Sequence, residues 1–256
     1  DVNARGELID TLFLGNILNN EEKDQKEKLD VPVVIMAGGK GTRLEPFTKV
    51  LPKPLVPIHD KPIIEHIIQR FTDLGCSNFY LTVNYKSKIL KAYFEELQPN
   101  YHVNFVEEKE PLGTAGSLSY LDGQFKKPFF ITNCDIIIKA DYNSLYEFHQ
   151  KNKFDITLVA SAKEYEIPYG TCELNEDGHL SHINEKPKYD FFINTGLYVL
   201  NPSVLGLIPK NKYYHITHLI EDAKNQGKKV GVFPIDDDDW IDIGQWAEYR
   251  KAIDKF

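Results

Sequence analysis

The stretch Val31-Pro32-Val33-Val34-Ile35-Met36-Ala37-Gly38-Gly39-Lys40-Gly41-Thr42-Arg43-Leu44, followed by Leu51-Pro52-Lys53-Pro54-Leu55, decides how the rest of the chain is read. A short run of β-branched residues ending in glycines reads as a buried strand that runs into a tight loop. Gly38, Gly39 and Gly41 leave backbone N–H groups open to an anion and tolerate φ above zero. Arg43 adds a planar fork and Lys53 a mobile point charge, a pair suited to a ligand with several phosphate oxygens. The expected guest is a triphosphate.

Two common glycine loops fail on this stretch. A P-loop needs Ser or Thr after Gly39-Lys40, where Gly41 stands, and a first glycine where Val34 stands. The dinucleotide fingerprint needs a third glycine at Leu44. A plain glycine turn is the remaining alternative, and Arg43 and the downstream Pro52-Lys53-Pro54 weigh against it.

The whole chain has 256 residues, 42% hydrophobic and 27% charged, which fits one soluble globular domain with small additions. No run is long and apolar enough to cross a membrane. A net charge of −8 without a Lys/Arg-rich stripe argues against nucleic acid as a partner, so a polyphosphate would need local cations or a metal. Cys76, Cys134 and Cys172 are odd in number and widely spaced, which fits neither a disulfide framework nor a Cys-x-x-Cys metal site. With no signal peptide ahead of Asp1, the chain reads as a trimmed piece of a cytoplasmic protein.

From Val31 onward, strand-like and helix-like patterns alternate, which predicts βαβ crossovers and a mostly parallel α/β sheet with helices on both faces. Helices are expected at 62–71, 87–97, 114–121, 142–152, 217–226 and 245–253, and strands at 78–83, 101–106, 128–133, 155–160 and 229–233. Shorter strands at 170–174, 179–184 and 192–200 suggest a small mixed subdomain. Residues 1–30 read as a separate extension, a strand, a short helix and a charged linker, ahead of a main domain at 31–256.

Gly-Gly-x-Gly-Thr-Arg-Leu-x-Pro-x-Thr from Gly38 to Thr48, with Pro52-Lys53-Pro54, resembles the signature of sugar-1-phosphate nucleotidyltransferases. The resemblance implies a Rossmann-like sheet whose subdomain holds the sugar, and transfer of a nucleotidyl group from a nucleoside triphosphate to a sugar 1-phosphate. It implies a nucleotide site at Ala37, Gly38, Gly39, Gly41 and Thr42, with Arg43 and Lys53 as the catalytic cations. Asp135, at the end of a strand, and Asp242, in Trp240-Ile241-Asp242-Ile243-Gly244, would hold Mg²⁺ as two hard oxygen donors. Glu185 and Lys186 would bind sugar hydroxyls and sugar phosphate, with Tyr169, Gly170, Asn194 and Thr195 beside them. The family often forms dimers or tetramers, so a homo-oligomer is a possible state. Residues 1–30 resemble the end of a CBS-type regulatory module.

The base-reading segment is Glu107 to Ser117, including Glu108, Pro111, Gly113 and Thr114. Relatives that use uridine or thymidine nucleotides carry Gln where Glu108 stands, since an amide both donates and accepts. A carboxylate only accepts, which suits guanine, with its adjacent N1–H and 2-amino donors. The segment also resembles the guanylyltransferase branch, so GTP is expected, with UTP, dTTP or CTP as alternatives. A non-catalytic nucleotide-sugar sensor of the same fold is the competing class. His215 and His218 read as packing or surface residues rather than zinc ligands, and Asp236 to Asp239 as a solvated turn.

Overall fold

Val33, Val34 and Ile35 are all fully buried, yet they serve two different cores. Successive strand residues point to opposite faces of a sheet, so Val33 and Ile35 pack on one side and Val34 on the other. A strand apolar on both faces must be covered on both, and this one is. The computed structural model describes residues 28–255, so the expected strand, helix and linker before Lys28, and the resemblance to a CBS-type module, lie outside the described residues.

The chain order is β1 (Val33–Met36), α1 (Phe47–Val50), β2 (Pro57–Ile58), β3 (Lys61–Pro62), α2 (Ile63–Thr72), β4 (Asn78–Val83), α3 (Ser87–Leu97), β5 (His102–Glu107), β6 (Phe129–Asn133), β7 (Ile136–Ile138) and α4 (Tyr142–Lys151). It continues with β8 (Ile156–Glu166), β9 (Thr171–Leu174), β10 (Leu180–Asn184), β11 (Lys188–Leu200), α5 (Ile216–Asn225), β12 (Val230–Asp236), β13 (Trp240–Asp242) and α6 (Trp246–Lys255). Seven strands form one sheet in the order β12-β8-β11-β6-β1-β4-β5. Only β11 runs against its neighbours. The expected mostly parallel sheet is therefore present.

On one face, α2 inserts Ile63, Ile64, Ile67, Ile68 and Phe71, joined by Leu90 and Phe94 of α3, Leu145 of α4 and Tyr249 of α6. On the other, Ile216, Leu219 and Ala223 of α5 pack with two 3-10 turns, Gly116–Leu121 and Pro202–Leu207. The first of these turns stands where the sequence predicts a helix at 114–121. Gly116 lets the Lys212 backbone approach this turn, since a Cβ there would meet the Lys212 carbonyl oxygen at 2.6 Å.

Strands β8 and β11 continue past the sheet as a long antiparallel arm, paired from Lys188 beside Glu166 to Leu200 beside Ile156. The ladder breaks between Asn194 and Tyr198, where Gly196 takes a φ of 92°. The hairpin of β9 and β10 extends from this arm. Together they form the small subdomain.

The register brings several loops to one end of the sheet. Met36 lies beside Asn133 on one side and Thr82 on the other, and Val83 lies beside Glu107. Gly38, Asp135 and Glu108 therefore leave neighbouring strands at the same level. The carboxyl ends of parallel strands are where open α/β sheets place ligands.

Candidate active site

The glycine loop follows β1 directly. Ala37 is tied to the sheet by its N–H to the Thr82 carbonyl (3.0 Å), and Gly41 turns through a left-handed φ of 67°. The turn is held from below: buried Thr48 donates its hydroxyl to the Gly41 carbonyl at 2.9 Å. A Cβ on Gly41 would meet Thr48 Cγ2 at 2.9 Å and Lys53 Cβ at 3.0 Å. Only glycine fits both the angle and the space. Gly39, Thr42 and Arg43 remain exposed around the loop.

Lys53 sits in a 3-10 turn, Lys53–Leu55, between Pro52 and Pro54. Its stem passes beside Gly41, and its ammonium meets Asp135 Oδ2 in an ion pair whose two side chains are each 11% exposed. Asp135 comes from the turn between β6 and β7. The second carboxylate arrives from far along the chain by a short antiparallel ladder, in which Asp242 of β13 pairs with Ile136 of β7. The Ile243 N–H to Asp135 carbonyl bond (2.7 Å) continues that ladder and seats the two residues side by side.

Gly244 keeps this corner open. A Cβ there would lie 2.5 Å from Asp135 Oδ2, 2.9 Å from Asp242 Oδ1 and 3.3 Å from Arg43 Nη2. Four charged groups thus converge on one small volume. Burial pushes the Asp242 carboxyl above its ordinary value and Asp135 adds to the rise; the Gly244 N–H (2.8 Å), Lys53 and Arg43 oppose it. Two cations and two anions balance, so a triphosphate and a sugar phosphate together need further positive charge.

The donors suit Mg²⁺. That ion commonly takes one or two protein carboxylates and completes its octahedron with substrate phosphates and water. Among the described residues no group of three or more His, Cys, Asp or Glu could form a protein cage. Two carboxylate oxygens facing the volume beside Gly244 fit the expected ligand pair.

Glu108 closes the other side of the loop. Its backbone is pinned by its N–H to the Val83 carbonyl (2.9 Å) and by Asn84 Nδ2 to its own carbonyl (2.8 Å). Its carboxylate accepts the Leu112 N–H at 3.2 Å and faces Gly38. Burial raises its pKa, while the Leu112 N–H and the Ser117 hydroxyl pull it down. A buried acceptor next to the glycine loop is what a base with paired donors requires. Asn84 carried no signal in the sequence, and Ser117 entered only as the end of the Glu107 to Ser117 segment, because their roles depend on a partner brought in by the fold.

The segment after Glu108 divides its labour. Gly113 takes a φ of 78°, and a Cβ on it would meet the Tyr214 carbonyl oxygen at 2.7 Å. Pro111 is exposed. The Thr114 hydroxyl, expected at the nucleotide, accepts the Ile216 N–H at 3.0 Å and lies 3.3 Å from His215 Nδ1. It caps α5, with the N–H of His215 donating to His218 Nδ1 at 3.3 Å. At that helix start His215 is half-buried and His218 exposed, with their rings 5.5 Å apart.

The residues expected at the sugar divide between the break in β11 and the subdomain. Two loops that join it to the arm meet where the Ile167 N–H bonds the Pro187 carbonyl at 3.0 Å. Gly170 lies against Glu185, since a Cβ on it would be 3.1 Å from Glu185 Oε2. Tyr169, Glu185 and Lys186 are exposed there, and Lys186 has a φ of 47°. Asn194 donates to the Tyr198 hydroxyl (2.8 Å) and accepts the Gly196 N–H (3.2 Å), which fastens the break in β11. Thr195, expected beside the sugar, points its hydroxyl inward to the Val159 carbonyl at 2.9 Å and is 2% exposed.

The Nucleotidyl transferase family matches residues 32–256. The mannose-1-phosphate guanyltransferase of Pichia angusta is 36% identical over 230 residues, covering 86% of this chain and 62% of that protein. That of Saccharomyces cerevisiae is 34% identical over 226 residues, covering 84% and 62%. The chain therefore spans about 62% of the length of these curated relatives. Among solved structures, HddC from Yersinia pseudotuberculosis complexed with GMP-PN has a TM-score of 0.67 and 27% identity, covering 88% of this chain and 99% of that one. With the glycine loop, the paired carboxylates and a family match over nearly the whole described chain in agreement, the chain belongs to the nucleotidyl transferase family.

Proposed function

We propose that the protein transfers a guanylyl group from GTP to a sugar 1-phosphate, giving a nucleotide sugar and pyrophosphate, with mannose 1-phosphate as the first acceptor to test. The observation that carries this reading is the buried Glu108 carboxylate facing Gly38, beside a loop whose cations and carboxylates suit a triphosphate. The similarity to mannose-1-phosphate guanyltransferases supports both the base and the sugar.

An ionised oxygen of the sugar phosphate attacks the α-phosphorus, and the bond from that phosphorus to the bridging oxygen breaks. The electron pair leaves with pyrophosphate, so no general base is needed. Catalysis is then positioning and charge stabilisation. Arg43 and the N–H groups of Gly38, Gly39 and Gly41 hold the departing pyrophosphate, with Thr42 beside them. Lys53 neutralises the nucleotide phosphates and Lys186 the sugar phosphate, while Glu185 accepts from sugar hydroxyls. Mg²⁺ held by Asp135 and Asp242 would supply charge to the reacting phosphates.

The setting is proposed to be cytoplasmic; among the described residues no helix is long and apolar enough to cross a membrane. The test is pyrophosphate release from each of GTP, ATP, CTP, UTP and dTTP, paired with a panel of sugar 1-phosphates. Turnover with GTP above the others is the expected result. No turnover with any pair would favour the non-catalytic sensor.

A further inference from the structure

We propose that Lys53 is the resident counter-cation of the Asp135–Asp242 pair, and that a divalent metal enters only when nucleotide phosphates have drawn the Lys53 ammonium away. The inference rests on the reading of Asp135 and Asp242 as metal ligands. It adds an order of events: nucleotide makes the metal site.

Asp135 Oδ2 and Asp242 Oδ1 both border Gly244, 2.5 Å and 2.9 Å from where a Cβ on it would stand, so they are the neighbouring oxygens of the pair. Lys53 Nζ holds that same Oδ2. Among the described residues Lys53 has no second ion-pair partner. Without nucleotide, an ammonium moved from Asp135 would be left nearly buried, with Arg43 at the same carboxylate corner and a divalent cation beside it. Leaving a buried charge unpaired is costly, and like charges add to the cost.

The geometry also supplies the alternative partner. The Lys53 stem runs along Gly41, its Cδ 3.2 Å from where a Gly41 Cβ would be. The ammonium therefore lies between the glycine loop and Asp135, with a backbone anchored between two prolines. A phosphate in the loop offers it a new anion within reach of side-chain rotation alone. Asp135 Oδ2 is then released to the metal that arrives with the same phosphates. A free metal has no such exchange to offer.

Mn²⁺ alone serves as the probe, followed by electron paramagnetic resonance of the free ion. The unsubstituted protein should take up Mn²⁺ weakly without nucleotide, and Lys53→Met should bind it tighter by on the order of tenfold or more. Lys53→Arg should resemble the unsubstituted protein, and adding Asp242→Asn to Lys53→Met should remove the gain. Equal or weaker binding by a folded Lys53→Met would overturn the proposal.

Should Lys53→Met fail to fold, crystals of the unsubstituted protein decide the matter by anomalous diffraction, with MnCl₂ alone and with MnCl₂ plus a non-hydrolysable GTP analogue. Mn²⁺ between the two carboxylates only when nucleotide is present, with Lys53 moved onto phosphate, is the expected pair of results. Mn²⁺ seated there without nucleotide, or Lys53 still on Asp135 when both are bound, overturns the exchange and leaves the metal assignment intact. Mn²⁺ elsewhere in the nucleotide complex overturns the assignment itself, and the exchange with it.

Discussion

The Glu108 carboxylate lies against the backbone of Gly38, so close that a methyl group on Gly38 would stand 3.1 Å from Oε1. The contact joins the segment that follows β5 to the glycine loop that follows β1. Substituting Glu108→Gln keeps the shape and exchanges one acceptor for a donor. Hydrogen bonds to a charged group contribute about 1.5–3 kcal/mol, so kcat/KM for GTP should fall about 10- to 100-fold, with a smaller change for UTP. Steady-state kinetics with both nucleotides checks this; equal losses would mean that Glu108 does not read the base.

The same carboxyl should make GTP binding sensitive to acid. Burial raises its pKa, so protonation begins at a higher pH than for an exposed Glu, and a protonated carboxyl meets one of guanine's two donors with a donor of its own. GTP affinity should weaken as pH falls through that raised value, by up to about tenfold per pH unit. Glu108→Gln should flatten the profile. Calorimetric titration with GTP at several pH values, on both proteins, measures the difference.

Gly244 has little room, since a Cβ on it would stand 2.5 Å from Asp135 Oδ2. Its α-carbon is not in the left-handed region, so Gly244→Ala should leave the backbone unstrained and act on Asp135, Asp242 and Arg43 alone. Small displacements of positioned groups cost about 100-fold in rate, and a loss of kcat of that size with a nearly unchanged melting temperature is expected. A large fall in melting temperature would point to a role in the fold instead.

His149 gives a stability prediction away from the site. It is 1% exposed, with Nδ1 2.8 Å from the Thr157 hydroxyl and Nε2 3.4 Å from Asn201 Oδ1. Burial lowers its pKa, against smaller opposing effects of Asn201 and Asp155. The unfolded chain takes up the proton at the ordinary imidazole value and the folded chain only at lower pH. Stability is thus lost as pH falls from the first value through the second, by at most about 1.4 kcal/mol per pH unit. Thermal melts from about pH 7 to about pH 5 should show a slope that His149→Gln reduces.

The glycine loop, the strand-end Asp135 and the alternating elements were legible in the sequence because each is a local pattern: a turn that needs glycine, a buried strand, a helical stripe. What was not legible depends on distant pairing. Strands β7 (Ile136–Ile138) and β13 (Trp240–Asp242) have three residues each and meet from distant parts of the chain, so no window of sequence shows why Asp242 lies beside Asp135 or why residue 244 has no side chain. The inward turn of the Thr195 hydroxyl and the capping role of Thr114 are hidden for the same reason, since their partners, Val159 and Ile216, are far off in the chain. The resemblance named both Asp135 and Asp242 as expected metal ligands; the pairing shows how the two come to lie side by side.

The two halves of the site should separate kinetically. Asp135→Asn removes a carboxylate charge that faces Lys53 and the proposed metal, so it should lower kcat by several orders of magnitude. Lys186 stands apart on the exposed subdomain. Losing its charge-assisted bond to a sugar phosphate, a contribution of about 1.5–3 kcal/mol, should raise KM for the sugar 1-phosphate about 10- to 100-fold in Lys186→Ala while leaving KM for GTP unchanged. Initial rates with each substrate varied in turn distinguish the effects. A raised KM for GTP in Lys186→Ala would place that lysine on the nucleotide, and the sugar phosphate would then need another cation, for which Arg43 is the next candidate to substitute.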